Sequence, residues 1–212
     1  MRPYVIINCA MSVDGKIALP TGVRMKISNE KDMQRVHRLR NSCDAILVGI
    51  GTILADDPKL TVKKEYIQGI VRSPIRVVVD SKCRIPRNAK VLDGTAKTII
   101  AVAEGCSKQL KNAEVIKCGK GEVDLRKLLI TLRKIGIRKL LVEGGSKIIW
   151  SFLSNGLADE LNVFVGSIAI GGETTPTLAG GEGAKKLESV VKLKLKKVSK
   201  LDNGVLLQYI VK

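Results

Sequence analysis

Short runs of apolar residues recur along the first two thirds of the chain, and each run ends at a polar or glycine-containing segment. The runs are rich in valine and isoleucine and show no polar alternation, which is typical of strands covered on both faces in a parallel sheet. They predict buried strands at residues 4–10, 45–48, 75–79, 98–102 and 139–142. A polar loop that includes Gly22 follows the first strand.

Three segments between these strands carry apolar residues at helical spacing. The first covers residues 28–42, and Ser28 is predicted to be its N-cap. The clearest helix covers residues 125–136, because one side is basic and the other is apolar. A third helix is predicted over residues 146–156. The apolar side of the clearest helix consists of Leu128, Leu129, Leu132 and Ile135.

The pattern after Asp159 changes to strands alone, at residues 160–165, 192–198 and 205–211. In the second of these, lysines alternate with Leu193 and Leu195, which predicts one buried face and one face in water. The whole pattern predicts an α/β fold with a mostly parallel central sheet, helices on both faces and a C-terminal antiparallel hairpin. Composition is steady and no repeat or linker divides the chain, so residues 1–212 are predicted to form a single domain.

The chain is strongly basic, with 37 lysines and arginines against 20 acidic residues and a formal net charge of +17. Nucleic-acid binding is one reading of this charge, but only six aromatic residues are present for base stacking and no known binding motif occurs. We therefore expect no nucleic-acid partner and interpret the charge as attraction for anionic small molecules. No apolar run approaches the roughly 20 residues that cross a bilayer. With no signal peptide evident, we expect no membrane partner and a cytoplasmic location.

Cysteine and histidine offer little for metal chemistry, because five widely spaced cysteines accompany a single histidine. We expect no metal site and reduced thiols, most of them buried as small apolar residues. His37 is predicted to lie on a polar helix face with a structural role.

Three predicted strands end in residues suited to binding a ligand. Ligands of open α/β sheets bind where the carboxyl ends of strands meet the N-termini of helices. The three segments are Gly49 to Thr52 with Asp56 and Asp57 after it, Val79 to Lys82, and Glu143 to Lys147. Each could also be a simple connection, but together they favour a dinucleotide site.

Three charged residues in or near these loops are candidates for proton handling: Lys16, Asp56 and Glu143. A carboxylate such as Glu143, directly after an apolar strand, is costly to bury unless it is paired or used. The alternative is that Asp56 caps a helix and that Lys16 is solvated.

Taken in order, the motifs resemble one family, and the resemblance covers about residues 4–211. The chain is similar to the pyrimidine reductases of riboflavin biosynthesis, which have a dihydrofolate-reductase-like fold. The motifs are SVDGKIA (12–18), HRLR (37–40), DAILVG (44–49), GT (51–52), DDP (56–58), LTV (60–62), PIRVVVDS (74–81) and LVEGG (141–145).

This resemblance implies an NADPH-dependent reduction of a ribosylamino-pyrimidinone 5′-phosphate to its ribitylamino product. The chain shows no deaminase motif, so it resembles the free-standing archaeal and fungal members. Their substrate is 2,5-diamino-6-(ribosylamino)-4(3H)-pyrimidinone 5′-phosphate. Alternatives are a same-fold reductase for the deaminated pyrimidine or for a pterin or folate, and a basic nucleic-acid-binding protein. Family members form homodimers, so a homodimer is expected.

The resemblance also assigns roles to individual residues. Lys16, Asp56 and Glu143 are the candidate catalytic residues. Lys63 stands where many relatives have arginine, so a bidentate phosphate clamp becomes a point charge. The implied substrate contacts are Arg40, Leu60, Lys63 and Glu143. The implied cofactor contacts are Thr52, Asp56, Val79, Asp80, Ser81, Lys82, Gly144, Gly145, Ser146, Lys147 and Ile148.

Overall fold

The computed structural model describes residues 1–21 and 25–212. The predicted loop position Gly22 lies outside the described residues. The described residues form nine strands and four α-helices. In chain order these are β1 (Tyr4–Ser12), α1 (Glu30–Asn41), β2 (Ala45–Gly49), α2 (Ile50–Asp56), β3 (Ile75–Val79), β4 (Thr98–Val102), β5 (Glu114–Lys117), α3 (Leu125–Lys134), β6 (Lys139–Val142), α4 (Ser146–Ser154), β7 (Glu160–Gly166), β8 (Leu193–Leu201) and β9 (Gly204–Val211).

The chain divides into two compact units. Unit 1 consists of Met1–Tyr4 and His37–Leu141, and unit 2 consists of Val5–Val36 and Val142–Lys212. The single-domain prediction stays a prediction.

Unit 1 is built on strands in the order β5-β4-β3-β2-β6. The pairs β2–β3, β3–β4 and β4–β5 are all parallel, so their carboxyl ends lie at one edge. Strands β2 and β4 are buried throughout, as their uninterrupted apolar sequences predict. Helix α3 buries Leu128, Leu129 and Leu132 and begins at an Asp124 cap, whose side chain accepts from Lys127 N–H.

A fully buried arginine stabilises unit 1 from within β3. The Arg76 guanidinium donates to Thr98 Oγ1 at 2.9 Å, to Asp93 Oδ1 at 2.9 Å and to Ala96 O at 2.6 Å. A longer bond of 3.4 Å reaches Lys59 O. Since a buried charge is tolerated only with such partners, Arg76 fixes the segments that surround it.

Unit 2 has the strand order β1-β7-β9-β8. Strands β1 and β7 are parallel, whereas β7–β9 and β9–β8 are antiparallel, which confirms the predicted C-terminal hairpin. Most strand pairs of the protein are thus parallel, as predicted; helices on both faces stay a prediction.

Strand β8 corrects one prediction. Both of its faces are exposed from Leu193 to Lys197, although alternation predicted one buried face. The reason is that β8 is the last strand in the order of unit 2, so β9 is its one hydrogen-bonded neighbour among the described strands. A β-bulge between Leu195 and Lys197 shifts the register by one residue.

Helix α1 corrects two further predictions. Its cap is Asn29 rather than Ser28, because Asn29 Oδ1 accepts from Asp32 N–H at 2.9 Å, whereas Ser28 Oγ donates to the Asp32 carboxylate at 2.6 Å. His37 is buried, with 2% of its surface exposed, rather than lying on a polar face. The sequence did not reveal that a loop of unit 1 covers this histidine.

Candidate functional site

A cavity of about 490 Å³ lies in unit 1 at the loops that follow β3 and β4. The two strands are parallel neighbours, so both loops leave the same edge. Among the predicted cofactor residues, Ser81 and Lys82 line the cavity. Lys108 contributes a second cation and Glu104 a carboxylate. This arrangement suits a polar, anionic ligand.

The cavity wall contains a disulfide between Cys83 and Cys106, with Cα atoms 6.2 Å apart. The prediction of reduced thiols is therefore wrong for these two cysteines, whereas Cys9, Cys43 and Cys118 are free. The bond follows from the topology, because both cysteines lie in the loops that leave adjacent parallel strands.

Lys108 stiffens the same wall by binding backbone on the opposite loop. Its Nζ donates to Cys83 O at 3.2 Å and to Ile85 O at 2.5 Å. Ser81 Oγ accepts from Val123 N–H at 3.0 Å. The two loops are thus joined both covalently and by hydrogen bonds.

Val79 and Asp80 are buried and do not line the cavity, although both were predicted cofactor contacts. Asp80 Oδ2 accepts from Ile85 N–H at 2.8 Å and shapes the turn that contains Lys82. Asp80 Oδ1 is buried without a hydrogen-bond partner among the described residues.

The Gly49 to Thr52 segment begins helix α2, which the sequence did not predict. Thr52 is half-buried in its first turn, and Asp56 is its last residue. Asp56 is half-buried at the C-terminal end, and the caps of α2 are Gly49 and Asp57, so Asp56 does not cap this helix. The chain leaves α2 through Asp57, whose φ of +39° turns it towards the next segment.

Two predicted substrate residues, Leu60 and Arg40, lie on or contact the segment after α2. Leu60 is buried and takes a left-handed φ of +53°. Arg40, on α1, donates from Nη1 to Thr61 O at 3.1 Å. A hydrogen bond therefore joins the HRLR and LTV motifs within unit 1.

Lys63 is exposed, and its backbone is held by the buried histidine. Lys63 N–H donates to His37 Nδ1 at 3.2 Å. The His37 ring stacks on Tyr66 at 4.8 Å between centroids, and Lys63 Nζ lies 5.7 Å from the centre of the Tyr66 ring. The ammonium also pairs with Glu65 Oε1 at 3.3 Å. Lys63 therefore has a fixed backbone, and an anionic ligand would have to compete with Glu65.

In unit 2, the predicted glycine turn leads into helix α4. Gly145 precedes the helix with a φ of +52°, a conformation that disfavours side chains. The first intrahelical bond runs from Ile149 N–H to Gly145 O, so the N–H groups of Ser146, Lys147 and Ile148 belong to the open first turn. Helix N-termini of this kind bind phosphate groups.

Lys16 is half-buried in a tight turn after β1. Its backbone forms an antiparallel bridge with Thr177, and Ile17 N–H donates to Pro176 O at 2.9 Å. These bonds fix the Lys16 backbone, and the choice between proton handling and a solvated side chain stays open for its ammonium group.

Glu143 is half-buried at the end of β6, next to the glycine turn. It lies close enough to Cys9 for its charge to act on that thiol. Burial raises the pKa of Cys9 to about 12, and the charges of Glu143 and Asp32 act in the same direction. Cys9 is thus a neutral thiol beside a candidate catalytic carboxylate.

The predicted residues fall into both units. Unit 1 holds Thr52, Asp56, Val79, Asp80, Ser81, Lys82, Arg40, Leu60 and Lys63, whereas unit 2 holds Lys16 and residues 143–148. Sequence reasoning missed Lys108, His37 and Tyr66. Lys108 could have been found, because it follows a predicted strand beside the one that leads to Lys82.

Comparison with known proteins gives consistent matches along the whole chain. The family model described as the RibD C-terminal domain matches residues 3–207. Two relatives are named 2,5-diamino-6-ribosylamino-4(3H)-pyrimidinone 5′-phosphate reductase. One, from Methanothermobacter thermautotrophicus, is 44% identical over 100% of both chains. The other, from Archaeoglobus fulgidus, is 43% identical over 96% of each chain.

A solved structure of RibD from Acinetobacter baumannii has a similar fold. It superposes on the whole of this chain with a TM-score of 0.85 at 26% identity. The chain spans 58% of the length of that structure.

Proposed function

The chain belongs to the RibD C-terminal domain family, and we propose that it reduces 2,5-diamino-6-ribosylamino-4(3H)-pyrimidinone 5′-phosphate in riboflavin biosynthesis. The observation that carries this proposal is the 44% identity over the full length of a reductase with that name. The fold is dihydrofolate-reductase-like, as the motifs implied. The protein is an oxidoreductase, and the reaction converts a ribosylamino into a ribitylamino group.

We propose NADPH as the cofactor, and the cavity of unit 1 supports this choice. Lys82 and Lys108 outnumber the single lining carboxylate, Glu104, and Ser81 offers a hydroxyl. Such a lining favours the extra phosphate of NADPH over the free hydroxyl of NADH. Asp80, the carboxylate that could repel this phosphate, is buried and outside the lining.

The remaining cofactor contacts are proposed on two helix N-termini. In unit 2, the first turn of α4 offers the N–H groups of Ser146, Lys147 and Ile148 to phosphate oxygens. In unit 1, Thr52 offers a hydroxyl in the first turn of α2. NADPH, when bound, supplies the hydride that reduces C1′ of the substrate.

The protein's own residues bind the substrate and manage its protons. Arg40 and Lys63 carry the positive charge for the substrate phosphate, and Leu60 contributes an apolar contact. Opening of the ribose gives an imine between C1′ and the exocyclic nitrogen, which must gain a proton as C1′ is reduced. Lys16 is proposed to handle this proton, and Glu143 and Asp56 to orient the opened sugar and the pyrimidine.

A homodimer is part of the proposal, and the hairpin offers a surface for the second copy. In the hairpin, Leu193 pairs with Val211, Leu195 with Tyr209 and Val198 with Leu207. The three partners lie on one face of β9, so the bulge in β8 places Val198 on the same face as Leu193 and Leu195. Val205 belongs to that face, and the four apolar side chains are 37–54% exposed. Exposed apolar residues on an edge strand are typical of an interface. Light scattering of the wild type and of Val198→Lys tests this: the variant should be monomeric.

No helix among the described residues is long and apolar enough to cross a membrane. A cytoplasmic location stays part of the proposal.

The deciding experiment follows NADPH oxidation with three substrates in parallel. These are the diamino ribosylamino pyrimidinone phosphate, its deaminated analogue and dihydrofolate. Preference for the diamino compound supports the proposed function. Preference for the deaminated compound supports a reductase whose step follows deamination. Turnover of dihydrofolate alone refutes the assignment.

A further inference from the structure

The turn that carries Lys16 is held by a chain of side-chain contacts within unit 2. Lys16 N–H donates to Ser12 Oγ at 2.9 Å. Ser12 Oγ donates to Asp14 Oδ1 at 2.6 Å and lies 3.2 Å from Lys16 O. Ser12 is fully buried, whereas Asp14 is exposed at the surface.

The Ser12 hydroxyl has one hydrogen and must choose between two acceptors. The Asp14 carboxylate is closer and charged, and hydrogen bonds to ionised acceptors are the stronger ones. The hydrogen therefore points to Asp14. A lone pair of Ser12 Oγ is then left facing Lys16 N–H.

Asp14 is itself fastened to a different segment of unit 2. Its carboxylate accepts from Gly171 N–H at 2.7 Å and from Ile170 N–H at 3.1 Å. The hydrogen bond from Ser12, followed by those from Gly171 and Ile170, lowers the pKa of Asp14 from 3.8 to about 2. Asp14 is therefore a carboxylate throughout the neutral range, and the hydroxyl keeps one orientation there.

We infer that Asp14 is a positioning residue, whose carboxylate orients the Ser12 hydroxyl so that it holds the backbone of Lys16 in place for proton transfer. This inference rests on the proposed function through the role of Lys16. Asp14 touches neither substrate nor cofactor in this scheme; it acts through Ser12. A displacement of about 1 Å at a catalytic group can cost on the order of 100-fold in rate.

Hydrogen exchange tests the positioning itself and needs no activity. The Lys16 amide of Asp14→Ala should exchange about five to ten times faster than in the wild type, since the net value of one hydrogen bond is lost. The control is Asp202→Asn, which removes one exposed carboxylate of unit 2 whose ion pair is 4.0 Å long. An unchanged Lys16 exchange rate in Asp14→Ala overturns the inference, whatever the activity.

The catalytic part is tested by a double-mutant cycle with Asp14→Ala and Lys16→Ala. Asp14→Ala should lower kcat roughly 10- to 100-fold and leave KM for NADPH unchanged. In the Lys16→Ala background the same substitution should have almost no further effect, because its partner in catalysis is already absent. If Asp14→Ala lowers kcat by the same factor in the Lys16→Ala background as in the wild type, the inference is overturned.

The remaining outcomes separate this inference from the proposed function. Full activity of Lys16→Ala removes Lys16 from the mechanism and overturns the inference with it. If the wild type reduces none of the substrates, the proposed function fails, and the exchange rate of Lys16 alone then decides whether Asp14 positions it.

Discussion

Opening the Cys83–Cys106 disulfide should weaken both the stability of unit 1 and its hold on the cofactor. The two cysteines are 23 positions apart in the sequence. Closing a loop of that length removes entropy from the unfolded chain and stabilises the native state by about 3 kcal/mol. For a chain of this size, each kcal/mol corresponds to about 2–4 °C in Tm, so the expected loss is about 6–12 °C.

The effect on binding has a separate cause. Cys83 and Cys106 lie in the loops that line the cavity with Lys82 and Lys108. Without the bond these loops must be ordered by the ligand itself, and ordering one or two side chains costs about 1 kcal/mol. The Kd for NADPH should therefore rise roughly fivefold.

The assay compares the wild type with the double variant Cys83→Ser, Cys106→Ser, each with and without a reductant. Thiol titration under denaturing conditions should count three thiols in the untreated wild type and five after reduction. Tm and Kd of the reduced wild type should match those of the variant, which should not respond to reductant. Five thiols without reduction, or a wild-type Tm that ignores the reductant, would refute the reasoning.

Three further predictions concern the charged groups. Lys82→Ala should raise KM for NADPH about tenfold with little change in KM for NADH. The control is Lys134→Ala, which removes an exposed lysine outside the cavity lining and should change neither KM. An equal rise in KM for both cofactors would contradict the contact between Lys82 and the extra phosphate. Arg76→Leu should lower the free energy of unfolding, measured in urea, by about 3 kcal/mol, because several buried acceptors lose their donor. A loss below about 1 kcal/mol would show that these hydrogen bonds contribute little to stability. Hydrogen bonds from Thr95 and Arg76 outweigh desolvation and lower the pKa of Asp93 to about 2, as the pKa of Asp14 is lowered. Both carboxylates therefore contribute stability that is present above pH 3.8 and lost as pH falls through about 2, and Asp93→Asn should flatten that acid dependence in urea titrations.

The order of elements was predictable because most of them carry a strong local pattern. Strand β3 and helix α3 were placed within a residue or two, since an apolar run and an amphipathic period each depend only on neighbouring positions. Helix α2 was missed because its seven residues, Ile50–Asp56, are too few to show a period. Strand β5 was missed for a similar reason, with only four residues and partial burial.

The candidate site was less predictable, because it depends on contacts between distant residues. The sequence indicated Lys82 from its place at the end of a strand, but it could not indicate that Lys108 binds the same loop. His37 was placed on a polar face because its neighbours on α1 are arginines. Its actual environment is formed by Lys63 and Tyr66, which lie 26 and 29 positions further on (63 − 37 and 66 − 37).

The discontinuous composition of unit 2 has a consequence for biosynthesis. Strand β1 pairs with β7, and β7 emerges from the ribosome only after all of His37–Leu141 has been made. At typical elongation rates of about 5–20 residues per second, the stretch from Ser12 to Glu160 leaves β1 without this partner for roughly 7–30 s. Unit 1 is contiguous apart from its first four residues and can begin to fold during that interval. Translation therefore imposes an order on the two units, and β1 is the segment that a nascent-chain chaperone would have most time to bind.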